Sequence, residues 1–173
     1  ELVRGYDARY KVNPPLRRDE DVQAVREGLA DGTIDIVATD HAPHPAEAKS
    51  CEWQAAANGM VGLESALRVV HQAMVQTGML SCDDVARVMS AAPARIGRLE
   101  DAGTPLAVGA PASLTLYDPA PVRTFGRDDL RGRSINSPYL GRELPGEVRW
   151  TFFRGAATVT DGVVAPTMGE ERA

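Results

Sequence analysis

Cysteine is nearly missing from this chain: Cys51 and Cys82 are the two present, far apart and outside any Cys-x-x-Cys spacing. That scarcity excludes a disulfide framework and a cysteine-built zinc site, and it suits a reducing, cytoplasmic compartment. Both thiols are read as structural. No apolar run approaches the ~20 residues that a membrane span requires, and no cationic-then-apolar leader opens the chain. A soluble, unexported protein with no membrane partner is expected. Positive charge is not in excess either, since the net charge is −5. Such a balance gives no broad field for a phosphate backbone and argues against nucleic acid as a partner. Glu1 to Gly5 carry no start signal, so the chain is expected to be a segment of something longer. What is present is an ordinary globular composition, and 173 residues are enough for a buried core.

Tyr10, Lys11 and Val12 form a short strand-like stretch that meets Asn13-Pro14-Pro15, where two prolines remove backbone donors and open a loop. Asp19 stands where a helix N-cap would, Val22, Val25 and Leu29 follow at helical spacing, and Gly32 supplies a stop. Ile34 to Thr39 is β-branched and mostly apolar, the pattern of a parallel strand covered on both faces, and it ends at Asp40. Residues 41 to 59 are polar, contain proline and show no period; connections of that length often carry function. Leu63, Ala66, Leu67, Val70 and Met74 share one helix face that Gly78 can end. Ser81 with Asp84 resembles a capping box ahead of Val85, Val88 and Met89. His71 falls on a different side of its helix and is expected at the surface.

Beyond Gly97 glycine and proline become frequent, and alternation at Ser113 to Tyr117 and Glu147 to Phe153 predicts strands. The chain therefore switches from α/β to β, with a boundary near 99 to 110, giving units 1–102 and 103–173. Pro119 to Gly146 offers few apolar residues to bury, so the second unit is expected to need outside strands to complete its sheet.

The densest set of reactive side chains is Thr39-Asp40-His41-Ala42-Pro43-His44, directly after the apolar stretch. In α/β barrels catalytic groups protrude from the carboxyl ends of parallel strands, so an Asp and two His there are placed to meet in one cavity. A carboxylate binds zinc and moves a proton; a neutral imidazole binds metal or donates to an anion. The plain alternative is that Asp40 caps a turn and the histidines are loop residues. Asn13 holds in its strand and loop unit the place that Asp40 holds in the next, although a turn former ahead of Pro14 explains it equally. Asn58, Gly59 and Gly62 precede a helix start, where free N–H groups favour an anion or a carbonyl oxygen, unless the glycines are simple turns. Arg17 and Arg18 read as a solvated pair. Lys49 with Glu47 either closes the loop or forms a surface ion pair.

Lys11-Val12-Asn13-Pro14-Pro15-Leu16-Arg17, Asp31-Gly32-Thr33-Ile34-Asp35 and Ala38-Thr39-Asp40-His41-Ala42-Pro43-His44 together resemble the last two barrel strands of dihydroorotases. The likeness continues through Gly59-Met60-Val61-Gly62-Leu63-Glu64, Ala92-Pro93-Ala94-Arg95-Ile96 and Asn136-Ser137-Pro138-Tyr139-Leu140-Gly141, to Gly146-Glu147-Val148. It implies an α/β fold: the last part of an amidohydrolase-type TIM barrel plus an incomplete small β domain. A whole barrel needs about 250 residues.

By this resemblance Asp40 is metal ligand and proton shuttle, while Asn13, His44, Asn58 and Gly59 bind substrate; His41 is not a ligand in that pattern. The implied cofactor is zinc, as one or two ions in the whole protein, with most ligands on earlier strands; it lowers the pKa of water near neutral pH. The implied reaction interconverts N-carbamoyl-L-aspartate and (S)-dihydroorotate in pyrimidine (UMP) synthesis, with Asp40 passing a proton to the leaving ring nitrogen. Asn58 stands where the family usually has an aromatic residue, and Ser113 where it has Asp. The first departure leaves hydantoinase or allantoinase chemistry open. Implied partners are the missing amino-terminal half, a second copy as a homodimer, and aspartate carbamoyltransferase, for which some dihydroorotase-like chains are non-catalytic scaffolds.

Overall fold

In the computed structural model, which describes residues 2–165, helix α1 (Asp19–Asp31) is the first long element. Asp19, Glu20 and Asp21 put negative charge on its first turn, and Asp21 accepts from the Arg18 N–H at 3.2 Å. Asp19 is thus the first helical residue and Arg18 the cap. Gly32, at φ 86°, ends the helix in the left-handed conformation that glycine adopts freely. Leu29 is buried, but Val22 and Val25 are 40% and 57% exposed. Nothing among the described residues lies against that part of the apolar stripe.

The two stretches expected as barrel strands are not paired strands here. Ala8–Tyr10 is a single 3-10 turn capped by Asp7, whose carboxylate accepts from the Arg9 N–H at 2.9 Å. Residues 35 to 40 carry no ladder. A strand is defined by its ladder partners, and among the described residues no strand pairs with either stretch. Val37 N–H donates instead to the Val88 carbonyl at 3.1 Å.

Helix α2 (Ala46–Lys49) is one turn inside the long loop. Helix α3 (Ala66–Val70) continues as a π-helical turn, His71–Val75. Helix α4 (Cys82–Ala86) starts at the expected capping box: Ser81 Oγ accepts from the Asp84 N–H at 3.1 Å, and the Asp84 carboxylate accepts from the Ser81 N–H at 3.0 Å. It runs through a second π turn, Arg87–Ala91, into α5 (Ala92–Ile96). Leu29, Val70, Met74, Leu80, Val85 and Val88 form one core, with Ile34 and Val37 packed on it. Burying each such side chain contributes roughly 1.5–3 kcal/mol. Leu63, expected on the buried face of α3, is 61% exposed because the helix begins after it.

The remainder is an antiparallel sheet in the order β1 (Leu114–Thr124), β2 (Glu143–Phe153), β3 (Ala156–Thr160), β4 (Val163–Val164). The β1–β2 register jumps between Asp118 and Val122, where Pro119 and Pro121 have no N–H to give to the ladder. Pro119 to Gly146 holds few apolar residues, as expected, yet three of them, Phe125, Leu130 and Leu144, join Val61 in a second core. Few in number, these residues are large and they converge on one point.

His71 is also corrected. It is 6% exposed, with Nδ1 2.7 Å from the Tyr117 hydroxyl. The π turn places it against the sheet rather than toward water. Cys51 and Cys82, read as structural thiols, are both exposed.

Candidate functional site

Asp40 has a positive φ of 45°, a conformation that Asp tolerates better than most residues. One residue later, His41 forms a parallel bridge with Met60, and the Ala42 N–H donates to the Met60 carbonyl at 2.9 Å. These bonds lay residues 39–44 beside 58–62, closely enough that a Cβ on Gly62 would sit 3.5 Å from the Thr39 carbonyl oxygen. Segments far apart in sequence thus share one small region.

His44 makes the main side-chain contact across it, with Nε2 2.8 Å from the Asn58 carbonyl. Gly59 fits beneath this pair because it lacks a side chain. At φ 137°, a Cβ there would lie 2.6 Å from the Ala42 Cβ and 3.0 Å from His44 Nε2. Asn136 arrives from the loop between β1 and β2 and ties both segments together. Its amide donates to the carbonyls of Ala42 at 3.0 Å and Gly59 at 3.3 Å, and its oxygen accepts from the His44 N–H at 3.3 Å. It is buried, and every one of these bonds replaces water that the groups have lost.

The expectation of free N–H groups ahead of the helix is not met. His41 Nδ1 accepts from Gly62 at 3.1 Å and Leu63 at 3.4 Å, and the Gly59 N–H donates to the Lys11 carbonyl at 2.9 Å. His41 thus holds the turn that leads into α3. Asp40 and Asn58 are exposed, and so is Asn13. Asn13 enters the region only through its neighbour Lys11, whose carbonyl lies against Gly59. His44, Asn58 and Gly59 are therefore gathered, exposed Asp40 adjoins them through its neighbour His41, and Asn13 stands at the margin.

Sequence reasoning missed three residues. Lys49, read with Glu47 as an ion pair or loop closure, is buried, and its ammonium donates to the carbonyls of Ala57 and Gly59, both at 2.9 Å, and of Lys11 at 3.3 Å. Burial, then the Lys11 charge, pulls its pKa below the ordinary lysine value. Lys11 donates in turn to the carbonyls of Trp53, Gln54 and Ala56. Asn136 is the third. A long loop without regular structure was the available signal, because its carbonyls need donors from somewhere.

Among the described residues no three His, Cys, Asp or Glu side chains come together as a metal site. Asp40 offers one carboxylate, short of the several ligands zinc uses. This chain by itself does not fit the ion.

Residues 11–158 match a family described as the amidohydrolase family. The chain is 67% identical over 172 residues to a dihydroorotase of Leifsonia xyli subsp. xyli, covering 99% of this chain and 39% of that protein. It is 59% identical over 162 residues to a dihydroorotase of Streptomyces coelicolor, covering 94% and 38% respectively. Among solved structures it is similar to an L-hydantoinase (dihydropyrimidinase) of Arthrobacter aurescens, with a TM-score of 0.82, 30% identity, and coverage of 95% of this chain and 37% of that one. The chain spans about two fifths of the length of the curated relatives it matches.

Proposed function

This chain belongs to the amidohydrolase family, and from that premise we propose that the whole protein is a dihydroorotase, hydrolysing and re-forming the ring amide of (S)-dihydroorotate in pyrimidine (UMP) synthesis. Supporting the choice of substrate is the 67% identity to a dihydroorotase, against 30% to a hydantoinase. The observation that supports the reading is the pairing of 39–44 with 58–62, in which His44 reaches the Asn58 carbonyl and Asp40 precedes the bridge between His41 and Met60.

In the ring-opening direction a water oxygen bonds to the amide carbonyl carbon and the carbon–nitrogen bond breaks. The proton released from water is taken by Asp40 and given to the departing ring nitrogen, a general acid–base role suited to a carboxylate at the end of the 34–40 stretch. His44 holds the substrate carboxylate, and Asn13 and the Asn58–Gly59 segment contact the ring. The whole protein uses zinc, for which Asp40 is one ligand and the others lie outside this chain. Units 1–102 and 103–173 correspond to barrel and β domain.

The test is turnover by the whole protein. Asp40→Asn keeps the side chain's size but removes its basicity, and is expected to lower kcat by roughly 10²–10⁴-fold. Normal turnover by this variant would end the assignment. Ring opening of hydantoin or allantoin without dihydroorotate would move the substrate. A whole protein with neither bound zinc nor turnover would instead be a non-catalytic scaffold of the kind that partners aspartate carbamoyltransferase.

A further inference from the structure

Lys49 is an ammonium ion withdrawn from water, 8% exposed, that meets no carboxylate among the described residues. Burying an unpaired charge is costly unless hydrogen bonds compensate it. Here all three N–H donors find carbonyls, and the carbonyls come from two separate stretches of chain: Lys11 on one side, Ala57 and Gly59 on the other. The same junction is closed from below by the Gly59 N–H on the Lys11 carbonyl, and from the side by Asn136 on the Gly59 carbonyl.

We infer that Lys49 is a positioning residue for substrate binding: by collecting the carbonyls of Lys11, Ala57 and Gly59 at one point, its ammonium group holds Asn58 and Gly59 against His44. The inference rests on the reading of 58–59 as a substrate-contacting segment. Its physical basis is that the 57–59 end of this loop has little apolar anchoring. Between 41 and 59 the buried residues are Ala56, Gly59 and Lys49, and the one large apolar side chain, Trp53, is half-buried against Tyr6, so the hydrogen bonds of Lys49 are a main constraint on the conformation around Asn58. The Ala57 carbonyl has Lys49 as its side-chain donor, whereas that of Gly59 also has Asn136. Removing the ammonium therefore leaves one carbonyl without that partner and another half-served, directly on either side of Asn58. A charged donor is the strong kind of hydrogen-bonding group, and a flexible four-carbon stem lets one point charge reach three oxygens where a planar guanidinium would not fit equally well.

The experiment uses Lys49→Met and Lys49→Arg in the whole protein, read by amide hydrogen exchange and by steady-state kinetics. With Lys49→Met, exchange at Ala57 to Gly59 and KM for dihydroorotate are each expected to rise roughly tenfold, with kcat held within about threefold. Lys49→Arg should recover part of both. A merely structural role would behave otherwise: kcat per total protein would fall with KM unchanged, and exchange would rise in α1 and the sheet as well. That result, or a Lys49→Met protein indistinguishable from wild type, overturns the inference. Should Lys49→Met not fold, Lys49→Gln, which keeps a single amide donor, is judged by the same two readouts. If the wild-type protein turns over no dihydroorotate, the enzymatic reading fails by itself, and local exchange at 57–59 still decides whether Lys49 holds the loop.

Discussion

His44 and Asn58 are joined by a hydrogen bond of 2.8 Å from the imidazole Nε2 to the backbone carbonyl. A carbonyl accepts only, so Nε2 carries a proton and is the donor. Gly59 makes the contact possible, since a Cβ there would stand 3.0 Å from that nitrogen and 2.6 Å from the Ala42 Cβ. Gly59→Ala is expected to destabilise the protein by on the order of 2 kcal/mol, through a forced positive φ and the collision. It should also raise KM, because the imidazole is the softer of the two obstacles. Urea unfolding and a substrate titration check this; unchanged values in both would mean the loop lies elsewhere.

Asn136 offers a sharper test, because its orientation is chemically readable. Its amide nitrogen faces two carbonyls, of Ala42 and Gly59, and its oxygen faces the His44 N–H. Asn136→Ala should cost about 1–3 kcal/mol from unsatisfied buried groups. Asn136→Asp should cost at least as much, since a carboxylate would oppose two carbonyl oxygens in a buried place. An Asp variant as stable as wild type would show that the Ala42 and Gly59 carbonyls do not face this side chain.

These residues also show how far the sequence could be read. Asp40 and His44 stood out because they follow an apolar stretch, Asn58 and Gly59 because they precede a helix start, and the capping box at Ser81 and the stop at Gly32 because they are local. The roles of Lys49 and Asn136 are not legible in this way. Their roles consist of contacts across 8 to 94 residues of sequence with backbone atoms, which carry no residue-type signal. His71 was misplaced for a related reason: a π turn shifts the helical phase that a regular period assumes. The turns Arg154-Gly155 and Asp161-Gly162, all at positive φ, carry the residue types of two-residue hairpin loops and join β2 to β3 and β3 to β4.

Gly146, at φ 75°, is where the sheet makes room for Tyr117: a Cβ there would lie 1.7 Å from the Tyr117 hydroxyl oxygen. Gly146→Ala is expected to cost on the order of 3 kcal/mol, from the collision and the left-handed backbone together. In a Tyr117→Ala background the collision is gone, and the same change should cost only about 1 kcal/mol. The comparison of the two backgrounds by denaturant unfolding is decisive. Equal costs would place the strain away from Tyr117.

His71 gives the protein a pH dependence of defined sign. Its pKa is lowered from the ordinary value of 6.5 by burial, because the charged ring is poorly solvated there. Tyr117, with its own pKa pushed up to about 12 by burial, stays neutral beside it and donates to the Pro145 carbonyl, leaving the His71 Nδ1–H to donate to the hydroxyl. Below 6.5 the unfolded chain takes up a proton on this histidine that the folded protein still refuses. Stability contributed by neutral His71 is therefore intact above that pH and falls as the solution is acidified, until the folded pKa is passed and the loss is complete. His71→Phe keeps a ring in the same place and cannot titrate. The stability difference between wild type and His71→Phe should be flat from about pH 8 to about pH 7 and shift against the wild type toward about pH 5. Other groups cancel in the difference, so a constant value across that range would show His71 to be as well solvated when charged as it is in the unfolded chain.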